Sequence, residues 1–353
     1  MGKVTDRENL FLMLNKEQPE FVPHHPSVIN HYPPIALRER PPKRMPGQDW
    51  WGVWWTTEDG GPGQTVPDLN KPRVLNSIDE WEDVVKWPDL DAVDWKAAAE
   101  KDFPRSNHPD KILCSFLHSG PFERLHSLLG FEETLIATIT APDACDAFFS
   151  KLCDYKISII ERLKEFYGTE MIHFHDDWGT QKDLFFRPEF WRTYIKPHIK
   201  RVIDATHDMG MLFEMHSCGK IDKVVREVVE IGADFINPAQ PVNDLASWAK
   251  DFGKECIIHG GFDCQNIIDN PDKTDEDVRQ EARDKIDLLA KDAYYIPYGI
   301  SLTSRIAIAC DESFVYGRRF YGNDYEDDIA EFYAGTRGQF HSPFAKVEIG
   351  AKK

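Results

Sequence analysis

Met211-Leu212-Phe213-Glu214-Met215-His216-Ser217-Cys218-Gly219, continued by Lys220 to Ile231, is the stretch whose reading decides the fold. Met211 to His216 is apolar and extended in pattern. The segment after it carries Val224, Val225, Val228 and Val229, which share one stripe of a helix. A strand, a loop rich in polar and sulfur-bearing side chains, and a helix follow one another: one βα unit.

The same rhythm runs outward in both directions. Upstream, Lys111 to Leu117 reads as a strand and Phe131 to Leu135 opens a helix. Residues 143–166 form a long helix with Phe148, Phe149, Leu152 and Ile159 on its apolar side. Met171 to His175 is a strand, and Pro188 begins a helix running to about Met209, at a position where its missing N–H costs nothing. Downstream, Phe235–Ala239, Cys256–Gly260 and Tyr294–Ile300 are strands. Thr274-Asp275-Glu276-Asp277 caps a helix ending near Lys291. At least five βα units without a composition break predict a (β/α)₈ TIM barrel with an N-terminal helical and loop elaboration. The expected layout is a single domain, 1–353: an elaboration and cap over 1–105, the main run of βα units over 106–310, and a C-terminal helix and polar tail over 311–353.

The elaboration opens with a short helix, Asp6 to Asn15, and an extended Pro19-Glu20-Phe21-Val22-Pro23. Residues 30–75 are dense in Pro, Gly and Trp and predict an irregular segment. Trp50, Trp51, Trp54 and Trp55 either pack that segment or line an aromatic-tolerant pocket. Gly60-Gly61-Pro62-Gly63 is no phosphate loop, because no Lys-Ser/Thr follows. The 42 Lys and Arg against 60 Asp and Glu leave a net charge of −18, which argues against nucleic-acid and membrane-surface partners. Seven scattered cysteines, no signal-peptide pattern and no spanning apolar run point to a cytoplasmic protein with reduced thiols.

In a barrel the strand C-termini carry the site. Here they present His175-Asp176-Asp177-Trp178-Gly179-Thr180-Gln181, then Glu214 to Gly219, Asn237-Pro238-Ala239-Gln240, and Gly260-Gly261-Phe262-Asp263-Cys264. Residues two apart on a strand face the same way, so His216 and Cys218 project together, either as zinc ligands or as a hydrogen-bonded imidazole beside a buried thiol, and Glu214 shares their parity. Asp176 and Asp177 are adjacent, so one faces the site while the other caps or pairs outside. The inward one anchors a substrate, donates a proton or orients a ligand. His24, His25, His31 and His118 read one by one as structural histidines.

These residues resemble the uroporphyrinogen-decarboxylase superfamily, and within it the corrinoid-dependent methyltransferases. The likeness begins at Asp6-Arg7-Glu8-Asn9-Leu10 and Pro19 to Pro23. It continues through Gly120-Pro121-Phe122-Glu123, Gly130-Phe131-Glu132-Glu133, Asp176-Asp177-Trp178-Gly179-x-Gln181, His216-Ser217-Cys218-Gly219 and Gly260-Gly261-Phe262-Asp263 to Tyr294-Tyr295-Ile296-Pro297. It implies zinc held by His216 and Cys218. The family's third ligand, a Cys on the last barrel strand, has no counterpart in Ile296-Pro297-Tyr298-Gly299-Ile300, which leaves Glu214, Cys264 or Cys310 for that place. No Arg occurs between His24 and Tyr32, where the decarboxylases hold porphyrinogen carboxylates. The function the resemblance implies is transfer of a methyl group from a small donor to the cobalt of a corrinoid carried by a partner protein, and the many Trp, Phe and Tyr residues of the mouth and cap make a methoxylated aromatic the first expectation for the donor. Asp176, Asp177 and His216 are the expected catalytic residues. His175, Trp178, Gln181, Phe185, Asn237, Gln240, Asp263 and Tyr298 are expected around the substrate. The competing readings are a porphyrinogen-type decarboxylase and a non-catalytic corrinoid- or ligand-binding barrel; a homodimer is compatible with all three.

Overall fold

The computed structural model describes residues 3–41, 45–57 and 65–335, so the Gly60 to Gly63 run and the end of the tail lie outside the described residues. Its contacts divide the chain into a central unit, His31–Asn107 with Leu113–Ala233, and a terminal unit, Met1–Asn30 with His108–Ile112 and Asp234–Lys353.

The central unit is organised by the parallel strands Ile112–Leu117, Met171–His175 and Leu212–His216. Their register sets His173 beside Glu214 and His175 beside His216. The long helix Pro142–Arg162 buries Phe148, Phe149, Leu152 and Ile159, the stripe its spacing predicts, and packs on the helix Lys196–Asp208. The helix expected from Pro188 is interrupted. A wide turn, Trp191–Ile195, separates Pro188–Phe190 from Lys196–Asp208, and the Lys196 N–H donates five residues back to Trp191 O. Pro197 has no N–H to continue the α-helical ladder, and the extra residue absorbs that loss.

The helix expected over 220–231 is shortened to Val225–Glu230. The backbone before it is committed elsewhere: Gly179 N–H donates to Cys218 O (3.2 Å) and Lys220 N–H to Thr180 O (2.7 Å). Gly219 sits at φ +84°, and a Cβ there would overlap the Gly179 backbone. Only glycine permits so close an approach at a positive φ.

Residues 30–75, read as irregular, contain an antiparallel sheet of Gly47–Gln48, Trp54–Thr57 and Thr65–Pro67. Asp49 anchors it, accepting from the N–H groups of Trp51 and Val53 and from Trp55 Nε1, each at 2.9 Å, and pairing with Arg124 at 3.0 Å. Trp51 packs edge-on against Trp87 and Tyr155, so Trp51 and Trp55 serve packing. The helices Trp95–Ser106 and Pro121–Leu129 add elements that the sequence reading did not resolve.

In the terminal unit the parallel strands Phe235–Asn237, Ile257–Gly261 and Tyr295–Tyr298 alternate with Leu245–Phe252 and Asp275–Leu289. The Thr274 capping box is formed with Asp277. The expected polar tail does not begin at Asp311, which lies inside the helix Ile306–Arg319. Asp311 and Glu312 are half-buried positions of a helix that also buries Phe314 and Arg318. The Arg318 guanidinium lies 3.6 Å from the Phe21 ring centroid and pairs with Asp6 and Asp328. Among the described residues no helix is long and apolar enough to cross a membrane.

Candidate metal centre

The strand register stacks ligand-type side chains in two layers at the C-terminal ends of the central unit's strands. The outer layer is His175, Asp177 and His216, the inner one His31, His173 and Glu214; within each group the potential ligand atoms lie within 4.8 Å of one another. Cys218 joins the outer layer, its Sγ 3.5 Å from His216 Nε2. Asp177 Oδ1 lies 3.6 Å from the same nitrogen and accepts from Cys218 N–H at 2.7 Å. Zinc bonds of about 2.0–2.3 Å at tetrahedral angles require ligand atoms roughly 3.3–3.8 Å apart. The Asp177, His216 and Cys218 set meets that spacing about His216 Nε2. Burial, reinforced by the Asp177 and Glu123 charges, holds the Cys218 thiol well above its ordinary range. Protonated, it is a poor ligand; only a cation at this point would make it a thiolate.

His175 stacks on His216 with ring centroids 4.1 Å apart, and its Nδ1 meets Glu123 Oε2 at 2.6 Å. Burial pulls the imidazole toward its neutral form, but the Glu123 and Asp177 charges and the Glu123 hydrogen bond outweigh it, and the net shift is upward. Glu123 moves down: burial opposes its ionisation, and His175 and Arg40 outweigh burial.

The structure separates the two aspartates. Asp177 faces the outer layer with its side chain 30 % exposed. Asp176 is fully buried and turned to the start of the helix Pro121–Leu129, accepting from Glu123 N–H (2.8 Å), Phe122 N–H (3.3 Å) and Trp178 Nε1 (2.7 Å). Gly120 makes this possible, because a Cβ there would lie 2.6 Å from the Asp176 Cβ. Burial and the Glu123 charge push the Asp176 carboxyl up to about 8, against the pull of its N–H donors. Asp176 fixes the strand-to-helix turn and has no access to a substrate.

Other expected site residues divide similarly. Trp178 is fully buried against Trp191 and is core, not a pocket wall. Gln181 is exposed. Phe185 joins Phe122, Phe131 and Phe186 in an aromatic group. Glu214, expected beside His216 and Cys218, instead accepts on Oε2 from His31 Nε2 at 3.1 Å and meets His173 Nδ1 in the inner layer. Strand parity gave its face correctly, but its place is one ladder step deeper.

In the terminal unit, Asn237 donates to His259 Nδ1 (3.1 Å), His259 Nε2 meets His25 Nδ1 (2.8 Å), and Tyr298 lies against both rings. Gln240 accepts from Asn243 through its backbone oxygen. Asp263 caps the turn Cys264–Ile268 and binds Asn266. Cys264 and Cys310 lie in one apolar cluster with Phe262, Ile268 and Ile306. The sequence reading placed neither His173 nor Glu123 in a site, and it took His31 for a structural histidine. The signal for His173 was present, since it shares strand parity with His175; His31 and Glu123 arrive from segments whose pairing no local pattern reveals.

The sequence profile described as "Uroporphyrinogen decarboxylase (URO-D)" matches residues 59–303. The chain belongs to that family. Among solved structures, a methyltransferase from Methanosarcina mazei superposes with a TM-score of 0.61 at 13% identity, over 91% of this chain and 100% of that one. That likeness shows the fold, the α/β barrel class read from the sequence. A D-psicose 3-epimerase aligns over 69% of this chain and 82% of its own at 11% identity and a TM-score of 0.33, too low to carry an argument. No curated protein matched the sequence.

Proposed function

We propose that this URO-D family member is a methyltransferase that moves a methyl group from a small methylated donor, first of all a methoxylated aromatic, to the Co(I) of a corrinoid carried by a separate protein. The observation that carries the reading is the outer layer: Asp177 and Cys218 each at zinc-ligand spacing from His216 Nε2, beside a His175 fixed by Glu123. The three would hold zinc, which supplies Lewis acidity that makes an ether oxygen a better leaving group.

The remaining work falls to the chain's own side chains. In the transfer the methyl carbon leaves oxygen for cobalt, both bonding electrons stay with the oxygen, and the two electrons of the new bond come from Co(I). The leaving oxygen then needs a proton. His175 has its Nδ1 committed to Glu123, which leaves Nε2 as the nitrogen that delivers it. This moves the acid role from the aspartates expected in sequence to the imidazole beside them. Asp177, holding Cys218 N–H on its Oδ1, keeps the loop Ser217 to Gly219 in place. Phe131 and Phe185, which reach solvent over the buried Phe122, offer aromatic faces suited to an aryl ether.

A porphyrinogen decarboxylase needs cations for several substrate carboxylates. In the central unit Arg40 pairs with Glu123, Arg124 with Asp49, and Lys156 with Glu39. Incubating the protein with cob(I)alamin and a panel of methoxylated phenols, methylamines and methanol, and following methylcobalamin by absorbance, tests the proposal. Transfer from the aryl ethers is the expected result; none from any methylated donor would remove it.

A further inference from the structure

The inner layer has no part in the mechanism above. It gathers two imidazoles and a carboxylate, and Glu214 is 0% exposed. A carboxylate so deeply buried is costly unless its charge is met. Its partners in the ladder are rings: Oε2 takes His31 Nε2 at 3.1 Å, and His173 Nδ1 meets the same oxygen. One oxygen serves two nitrogens in direct hydrogen bonds, and one donor atom from each residue lies within 4.8 Å of the others, so a single cation would replace those bonds by spreading the three side chains to ligand spacing. His173 Nε2, on the other side of that ring, is buried without a hydrogen-bond partner, and the ring is wedged between Phe116 (4.2 Å) and His216 (4.9 Å). Phe116 and the strand backbone fix its orientation.

We infer that His31, His173 and Glu214 form a second metal site, separate from the outer one and specific for a borderline divalent ion of the zinc and cobalt class. Two nitrogens and one carboxylate oxygen make the His₂Glu donor set typical of zinc; hard cations such as Mg²⁺ and Ca²⁺ prefer all-oxygen shells. The ladder separates the layers by two residues, about 6.6 Å along a strand, which exceeds the roughly 3.5–4 Å of a bridged two-metal centre. The inner ion would bind independently of Cys218. It would keep both imidazoles neutral and ligating and compensate the buried carboxylate.

The test is metal stoichiometry by elemental analysis of the full chain after chelation and reconstitution with Zn²⁺ or Co²⁺. Two ions per chain are expected, with one lost in His31→Ala and in Glu214→Gln, and a different one lost in Cys218→Ala. His31 is only partly buried, so its variant should fold even if Glu214→Gln does not; circular dichroism checks both. Cobalt absorption adds a second readout: His31→Ala should remove bands free of thiolate charge transfer, and Cys218→Ala the thiolate band. One ion per chain in the wild type, unchanged in His31→Ala, would overturn the inner site and leave the outer one standing. Loss in His31→Ala with none in Cys218→Ala would uphold the inner site while removing the outer one.

Discussion

In the terminal unit, the Asn237 amide donates to His259 Nδ1, so His259 carries its proton on Nε2 and donates to His25 Nδ1. In the central unit the histidines meet carboxylates instead: His31 and His173 meet Glu214, His175 meets Glu123, and His216 lies near Asp177. His259 in the one group and His173, His175 and His216 in the other sit on parallel strands, and both groups are largely buried. An amide and a second imidazole leave a ring neutral and turn it into a fixed hydrogen-bond relay. A carboxylate either charges the ring or orients it as a ligand, as the carboxylates behind metal-bound histidines do. What separates a structural histidine from a reactive one here is the partner and not the burial.

The largest effect that sharpens this contrast is expected from Cys218→Ala. Removing a Lewis acid worth several kcal/mol should lower methyl transfer by about a thousandfold. Thermal unfolding should show the fold intact, and His259→Gln in the other unit should leave metal content unchanged. Next comes His175→Gln, which should cost roughly a hundredfold in rate with little change in donor affinity. The loss should shrink for nitro-substituted phenyl ethers, whose phenolates leave without a proton. An equal loss for good and poor leaving groups would make His175 a positioning residue and break its contrast with the His25 pair.

Asp176→Asn should behave as a fold mutation. It disturbs the buried hydrogen bonds at the start of the helix Pro121–Leu129 and should cost about 1–3 kcal/mol in denaturant unfolding. The reconstituted metal content should not change, whereas Asp177→Asn should lower metal affinity with the smaller stability change.

The effect confined to acid pH is a pH dependence in the terminal unit. His24 is buried, and desolvation, with Arg318 and Lys111 nearby, pulls it down to about 3. The folded state therefore binds fewer protons at His24 than the unfolded state does between pH 6.5 and about 3. Stability from this residue is fully present above the unfolded value and is lost as pH falls through that window. Subtracting the urea midpoints of His24→Gln from those of the wild type should leave a difference that declines on acidification. A flat difference would mean that His24 is not held neutral by the fold.

Much of this was legible in the sequence, and the reasons are local. Period-3.6 stripes such as Phe148, Phe149, Leu152 and Ile159 fix a helix wherever they occur. Strand parity likewise placed His216 and Cys218 together. What escaped depends on distant chain segments. The Val225–Glu230 helix starts late because Cys218 and Lys220 are hydrogen-bonded to a loop some forty residues earlier. The sheet around Trp54–Thr57 forms because Asp49 gathers donors on both sides of a turn. Adjacency left Asp176 and Asp177 equivalent until the helix beginning at Pro121 claimed one of them. His31 read as an isolated structural ring because nothing near it in sequence announces Glu214.

The central claim is that a metal at Asp177, His216 and Cys218 activates the methyl donor. Its most direct test is cob(I)alamin methylation from a methoxylated phenol by the protein as purified, after chelation, and after zinc is restored. The account requires activity that falls on chelation, returns with zinc in the wild type, and does not return in Cys218→Ala. Methyl transfer that persists at the wild-type rate in the metal-free protein would contradict it.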